Sequence, residues 1–285
     1  MSNTLQGKRI AVTGGARGIG RSIARVCAGA GAQVVIGDID RDQVRATAAE
    51  LVELTGGRIA GLELDVAESQ SFEQFLDDAE RELGGLDVLV NNAGIMPTGR
   101  FLHESLELAD RQLTINLRGV IIGSKLAGRR FAAGHAGHIV NIASVLGLGA
   151  APGVATYCAT KFAVVGLGSA LHQELSSDGV AVSTICPAFV NTELIGGLSP
   201  NRLMRRIGFI EPEDVAAAVA EVIARGRGGQ RVVPVHSGIA LRLLAVLPEG
   251  SRNRLSRLLG SHDTVTHADT GARAAYLDRV AGRKG

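Results

Sequence analysis

The chain has 285 residues, 46% hydrophobic and 20% charged, a balance that excludes a disordered polymer and gives one large α/β domain enough material for a buried core. Net charge is only +2, Trp is absent and aromatic residues make up 3%, so neither a basic field nor a stacking platform invites a nucleic acid. Cys27, Cys158 and Cys186 form no CxxC pair, Met1 to Lys8 lacks the apolar run of a signal peptide, and no apolar stretch nears the roughly 20 residues of a bilayer span; a reduced, cytoplasmic, soluble protein is expected.

Along the chain, short Val/Ile-rich runs alternate with amphipathic stretches. Expected strands are Arg9–Val12, Gln33–Gly37, Ile59–Leu64, Leu86–Val90, His138–Ile142, Val180–Ile185 and Arg231–Val235. Between them the spacing predicts helices over Ile19–Gly29, Asp42–Leu54, Ser71–Leu83, a long Leu106–Phe131, Thr156–Ser176 and Pro212–Arg225. Nearly all-apolar strands separated by helices call for a parallel sheet covered on both faces, hence a single-domain, doubly wound Rossmann-type α/β fold over residues 1–236. Residues 237–285 break the alternation and read as a helical extension rather than a second domain.

The first strand ends in Thr13-Gly14-Gly15-Ala16-Arg17-Gly18-Ile19-Gly20, where a helix begins. Glycines there allow a tight turn, close approach of backbone N–H groups to a pyrophosphate, and a helix N-terminus facing it. Gly15 to Ser22 nearly spells a P-loop, but Arg21 stands where that chemistry needs Lys, so nucleotide hydrolysis is the weaker reading. The second strand runs into Asp38, whose carboxylate can accept both ribose hydroxyls and repel a 2′-phosphate; this favours NAD over NADP, against Arg17 and Arg41, which could greet that phosphate.

Tyr157 and Lys161 lie four apart at the start of a predicted helix and so share a face. A cation beside the phenol, together with a positive nicotinamide, is expected to lower its proton affinity from the usual value near 10 and make it an acid/base. Ser144 just past the fifth strand, and Asn91-Asn92-Ala93-Gly94 closing the fourth, sit where parallel strands deliver residues to a ligand crevice; Asn116 lies within the long fourth helix. Cys158 has no His spaced to activate it and reads as packing, and the seven His residues show no metal-ligand spacing.

Taken in order, the Thr13–Gly20 turn, Asp65, Asn91–Gly94, Asn116, Ser144, the Tyr157/Lys161 pair, and Pro187 with Thr192 resemble the short-chain dehydrogenase/reductase family over Lys8 to Val235. The resemblance implies that Asp65 and Val66 bracket an adenine, that Asn91 and Ala93 support the adenosine side, and that Asn92 and Gly94 belong to the cofactor contacts. It also implies that Val190 and Thr192 meet the carboxamide and phosphate side. Tyr157 would exchange the proton of an alcohol while hydride passes to or from the nicotinamide. Lys161 would hold the ribose, Ser144 the substrate oxygen, and Asn116 a water linking Lys161 to solvent. With the turn residues Gly14, Arg17, Gly18, Ile19 and Gly20, with Asp38, and with Pro187, these are the expected cofactor contacts. Pro187-Ala188 departs from the family's usual Pro-Gly.

Substrate walls are expected from the small apolar run Val145–Val154 and from Glu193–Ile210, where Leu198, Arg202 and Arg205–Arg206 recur at helical spacing as in an amphipathic lid. An apolar, lipid- or steroid-like alcohol or ketone is the expected substrate. A sensor that binds NAD(H) without turnover, and an isomerase or dehydratase on the same fold, are the alternatives. The helices Leu106–Phe131 and Thr156–Ser176 are apolar on more than one face, which predicts a homodimer or homotetramer. After Val235 the chain carries eight Lys/Arg against four Asp/Glu, and Leu255, Leu258 and Leu259 share one face of Ser251–Leu259. That pattern predicts docking over the substrate mouth or a neighbouring subunit, or reversible contact with an anionic membrane surface.

Overall fold

A computed structural model of the chain describes residues 4–195 and 209–238, together with Pro248, Gly250, Ser251, Arg254 and Tyr276. In chain order, β1 (Arg9–Thr13) leads to α1 (Gly18–Gly29), β2 (Gln33–Asp38) to α2 (Arg41–Thr55), and β3 (Ile59–Glu63) to α3 (Ser69–Leu83). Then come β4 (Val88–Asn91), α4 (Leu106–Leu113), a π-helical turn (Thr114–Arg118), α5 (Gly119–Ala133) and β5 (Gly137–Ile142). The rest comprises α6 (Ala155–Glu174), β6 (Val180–Pro187), the short pair β7 (Phe189–Val190) and β8 (Phe209–Ile210), α7 (Pro212–Arg225) and β9 (Gly229–Val233).

Seven parallel strands form one sheet in the order β3-β2-β1-β4-β5-β6-β9. Alternation along each strand divides the core between the two faces. Ile10 and Val12 face one way with Val34, Ile36 and Val90, and meet α1 and α7 through Ile23 and Val219. Ala11 faces the other way with Val35 and Leu89, against Phe72, Phe75 and Leu76 of α3. Every central strand is therefore buried on both sides, as the unbroken apolar runs require. Strand order reverses at β1, between β2 and β4, and a crevice opens there beyond the carboxyl ends of the strands.

Local chemistry fixes the ends of the elements. The Asp40 side chain accepts from the Gln43 N–H to cap α2, which ends on Gly56 in the left-handed region. Pro212 opens α7 behind a capping box of Glu211 and Asp214. The long helix expected over Leu106–Phe131 runs on through α4, a wide π-helical turn at Thr114–Arg118 and α5, with helical backbone throughout; only the wide turn is not announced by the continuous apolar pattern. Residues 196–208, with Leu198, Arg202, Arg205 and Arg206 of the expected lid, and the helix expected over Ser251–Leu259 apart from Ser251 and Arg254, lie outside the described residues. Among the described residues no helix is long and apolar enough to cross a membrane.

Candidate active site

The floor of the crevice is the turn between β1 and α1. Gly14 adopts φ +64°, and a side chain there would place its Cβ 2.8 Å from Ala93 Cα; at Gly20 it would lie 2.2 Å from the Gly14 carbonyl oxygen. The turn is stapled to the end of β4. Thr13 Oγ1 accepts from the N–H groups of Asn92 and Ala93, both at 3.0 Å, while Asn92 Nδ2 donates to the carbonyls of Thr13 at 2.9 Å and Gly14 at 3.0 Å. The first turn of α1 carries no acidic residue and no side-chain cap, so its N–H groups are left for an anion.

At the end of β2, Asp38 Oδ2 accepts from the Ala16 N–H at 3.1 Å and Oδ1 from the Asp40 N–H at 3.3 Å. Burial pushes this carboxyl up, and those two N–H bonds with the Arg17 charge pull it back. Arg17 itself is engaged: its Nη2 lies 3.1 Å from Asp40 Oδ2 and 3.5 Å from Gln43 Oε1, a partly exposed pairing with which a phosphate would have to compete. Asp65 is fixed after β3, its Oδ1 accepting from the Ala67 N–H at 2.9 Å and its own N–H donating to Ser71 Oγ at 3.0 Å.

A cleft of about 340 Å³ runs from Asp38, Ile39, Asp65 and Val66, past Gly14, Arg17, Gly18 and Ile19 and past Asn92, Ala93 and Gly94, to Tyr157, Lys161 and Thr192. Beside its far end a smaller apolar nook of about 40 Å³ is lined by Met96, Ser144, Leu146, Tyr157, Pro187, Ala188, Phe189 and Val190. Of the other expected cofactor contacts, Gly20 packs beneath the turn, and Pro187 and Val190 line the nook that adjoins the cleft. Asn91 is corrected. It is buried and donates to Ser124 Oγ and Asn141 Oδ1, tying β4 to α5 and β5 instead of facing the cleft.

Where the two spaces meet, α6 presents Tyr157 and Lys161, both buried, and the turn after β5 presents Ser144, whose hydroxyl accepts from the Leu146 N–H at 3.1 Å and lies close enough to the Tyr157 phenol to favour its ionised form. Lys161 Nζ lies 5.6 Å from the Tyr157 ring centroid and donates to the Ile142 carbonyl at 2.9 Å. Burial lowers this ammonium to about 8, with the Cys186 thiol nearby pulling the other way. The expected lowering of Tyr157 is not what the polypeptide produces. Burial dominates and raises the phenol, the Ser144 hydroxyl opposes it, and Tyr276 and Cys158 add to the rise. Cys158 itself packs in the apolar cluster around Met96 and Leu146, as expected.

Asn116 occupies the π-helical turn with no exposure to solvent. Its Oδ1 accepts from the Ile95 N–H and its Nδ2 donates to the Ile95 carbonyl, both at 2.8 Å, with a further bond to Thr160 Oγ1 at 3.3 Å. The side chain thus clamps the strand end that leads from Gly94 to Met96, and any water it anchors for Lys161 would sit on its main chain. Sequence reasoning missed Met96, Ile39, Arg111 and Tyr276 as lining residues. Ile39 and Met96 adjoin expected residues, and Tyr276 is one of only two tyrosines in the chain, a hint the sequence did carry.

Glycines that admit no side chain, an uncapped helix end and a carboxylate at the end of β2 fit a dinucleotide, and Ser144, Tyr157 and Lys161 stand where its reactive end would lie. This is the layout of a nucleotide-dependent oxidoreductase. The family model for short chain dehydrogenases matches residues 8–202. The chain is 33% identical over 261 residues to the probable oxidoreductase EphD of Mycobacterium tuberculosis, covering 86% of this chain but only 44% of that protein, so the chain spans under half of that relative. It is 35% identical over 222 residues to the 2,5-dichloro-2,5-cyclohexadiene-1,4-diol dehydrogenase LinX of Sphingobium indicum, covering 76% of this chain and 88% of LinX. A crystal structure of a short-chain type dehydrogenase/reductase from Mycobacterium marinum superposes with a TM-score of 0.72 at 29% identity, over 81% of this chain and 96% of that one. The chain belongs to the short-chain dehydrogenase/reductase family, whose members are oxidoreductases that use a nicotinamide cofactor.

Proposed function

We propose that the chain is an NAD(H)-dependent alcohol dehydrogenase or ketoreductase for a small apolar substrate, with Tyr157 as the acid/base. The observation that carries this reading is the convergence of Ser144, Tyr157 and Lys161 at the junction of a long cleft and an apolar nook. Residues 1–236 form the catalytic domain on this reading, and 237–285 an extension of it.

A bound nicotinamide would accept or donate the hydride. Asp38 would accept hydrogen bonds from the adenosine ribose, Asp65 and Val66 would flank the adenine, and Gly14, Gly18, Ile19 and Thr192 would line the path of the phosphates. In reduction, Tyr157, kept protonated by burial, donates to the carbonyl oxygen that Ser144 holds; in oxidation the same phenol oxygen takes the proton back. Lys161, fixed through Ile142, brings positive charge to that exchange. Met96, Leu146, Ala188 and Phe189 offer the nook apolar contacts, which supports an apolar alcohol, and LinX is named for a dichlorinated cyclic diol.

Purified protein assayed with NAD and a panel of apolar secondary alcohols, following absorbance of the reduced nicotinamide, tests the reading. Tyr157→Phe should keep the fold and cofactor affinity yet lose about 10²–10⁴-fold in turnover. Lys161→Ala should weaken turnover and cofactor binding together. A Tyr157→Phe protein within about tenfold of the parent rate removes Tyr157 from this role.

A further inference from the structure

The chain has only two tyrosines and no Trp, and both tyrosines lie in the same cleft. Tyr276 is separated from the rest of the site by a long stretch of sequence, yet its hydroxyl accepts from the Met96 N–H at 2.7 Å. Met96 is no arbitrary anchor. It follows Ile95, whose N–H and carbonyl are both held by Asn116, and its side chain lines the apolar nook beside Ser144 and Tyr157. Tyr276 lines the larger cleft together with Tyr157, Lys161 and Leu194, and its hydroxyl meets the main chain of Met96, a residue of the nook. The two phenols are near enough for Tyr276 to raise Tyr157 electrostatically.

We propose that Tyr276 is a specificity-determining residue of this active site: the phenol, tethered to the Met96 backbone, forms an aromatic wall of the substrate space facing Tyr157 and limits the girth of the alcohol or ketone accepted there. This rests on the reading of Tyr157 as the group that exchanges the substrate proton. An aromatic ring is a wide, stiff surface with few rotatable bonds, suited to excluding a bulky substituent while offering apolar contact to a flat or cyclic one. Its hydroxyl fixes the ring's position through a rigid donor, so the wall stays in place even though the residue comes from outside the main sheet domain.

The test uses the full chain and the alcohols cyclohexanol, 2-octanol and a steroid alcohol with NAD. Tyr276→Ala should raise kcat/KM for the bulkiest alcohol relative to cyclohexanol by about tenfold or more, while the Kd for NADH stays close to the parent's. Tyr276→Phe, which keeps the ring but loses the Met96 tether, should rank the alcohols between the parent and Tyr276→Ala, and its pH profile should move toward lower pH as the second phenol is lost. Equal losses on all three alcohols would make Tyr276 a merely structural residue and overturn the proposal. In Tyr157→Phe, Tyr276 is the last tyrosine, and its emission should change when cyclohexanol is added to the NAD-saturated protein; unchanged emission also overturns it. If the parent turns over none of the alcohols, the reading of Tyr157 fails, and acrylamide quenching of Tyr276 in Tyr157→Phe still decides its place. NAD must then shield the residue, and quenching that NAD leaves unaltered refutes the assignment.

Discussion

A carboxylate held by two backbone N–H groups cannot easily turn aside for a phosphate. Asp38 is such a group, and the nearest guanidinium, Arg17, is committed to Asp40 and Gln43. NADH should therefore bind at least about tenfold more tightly than NADPH, a difference of about 1.4 kcal/mol. Asp38→Ser should narrow that gap, and Asp38→Ser with Asp40→Ser should close or invert it, because the second change releases Arg17. Fluorescence titration of both cofactors measures this, and a parent that prefers NADPH takes the role from Asp38. Most of these residues were legible in the sequence, since the glycine turn, Asp38, Asp65, Ser144, Tyr157 and Lys161 each follow a strand end or open a helix. What was not legible is charge state. A Y-x3-K spacing puts two side chains on one face, but the direction of the Tyr157 shift depends on burial by Met96, Leu146 and Cys158, which periodicity does not report.

Between α4 and α5 the backbone takes one wide turn so that Asn116 can reach Ile95 and Thr160. The helix runs on through this turn with right-handed backbone at Leu113, Thr114, Arg118 and Gly119, so the apolar pattern reports the helix but not the extra residue that widens one turn of it. The last strand was displaced for another reason. Pro234 has no N–H to give the ladder, so β9 ends at Val233, Val235 stands 64% exposed, and the polar Gly229-Gln230 start is that of an edge strand. The turn at Asn116 earns its place only if the clamp matters. Asn116→Ala removes three hydrogen bonds and takes from the half-buried Ile95 N–H and carbonyl their side-chain partner. Stability should fall by about 2–4 kcal/mol in denaturant unfolding, with turnover falling further because Met96 and Gly94 lose their support. A variant that unfolds with the parent would show that the main chain alone holds this turn.

For the molecule as a whole, the outer faces of α4, α5 and α6 decide what it associates with. Of the apolar residues that led the sequence to predict an oligomer, Val120 and Val164 are spent on the chain's own core, while Leu113, Ile121 and Phe162 remain exposed at 41%, 41% and 45%. Phe101, Leu102 and Leu106, in and just after the turn that leads into α4, are exposed as well. Helices apolar beyond the face they give the sheet require another partner, and a second copy is the partner always present. Family members are commonly oligomeric. Each large apolar side chain buried in such an interface contributes about 1.5–3 kcal/mol, so one charge placed among them should be felt. Light scattering at micromolar concentration should report a dimer or tetramer. Phe162→Asp should reduce the mass by at least half while leaving the circular dichroism of the monomer intact, since Phe162 is 45% exposed whereas Tyr157 and Lys161 are buried. A parent that is monomeric at that concentration refutes self-association, and these faces would then have to be covered by something other than a second copy.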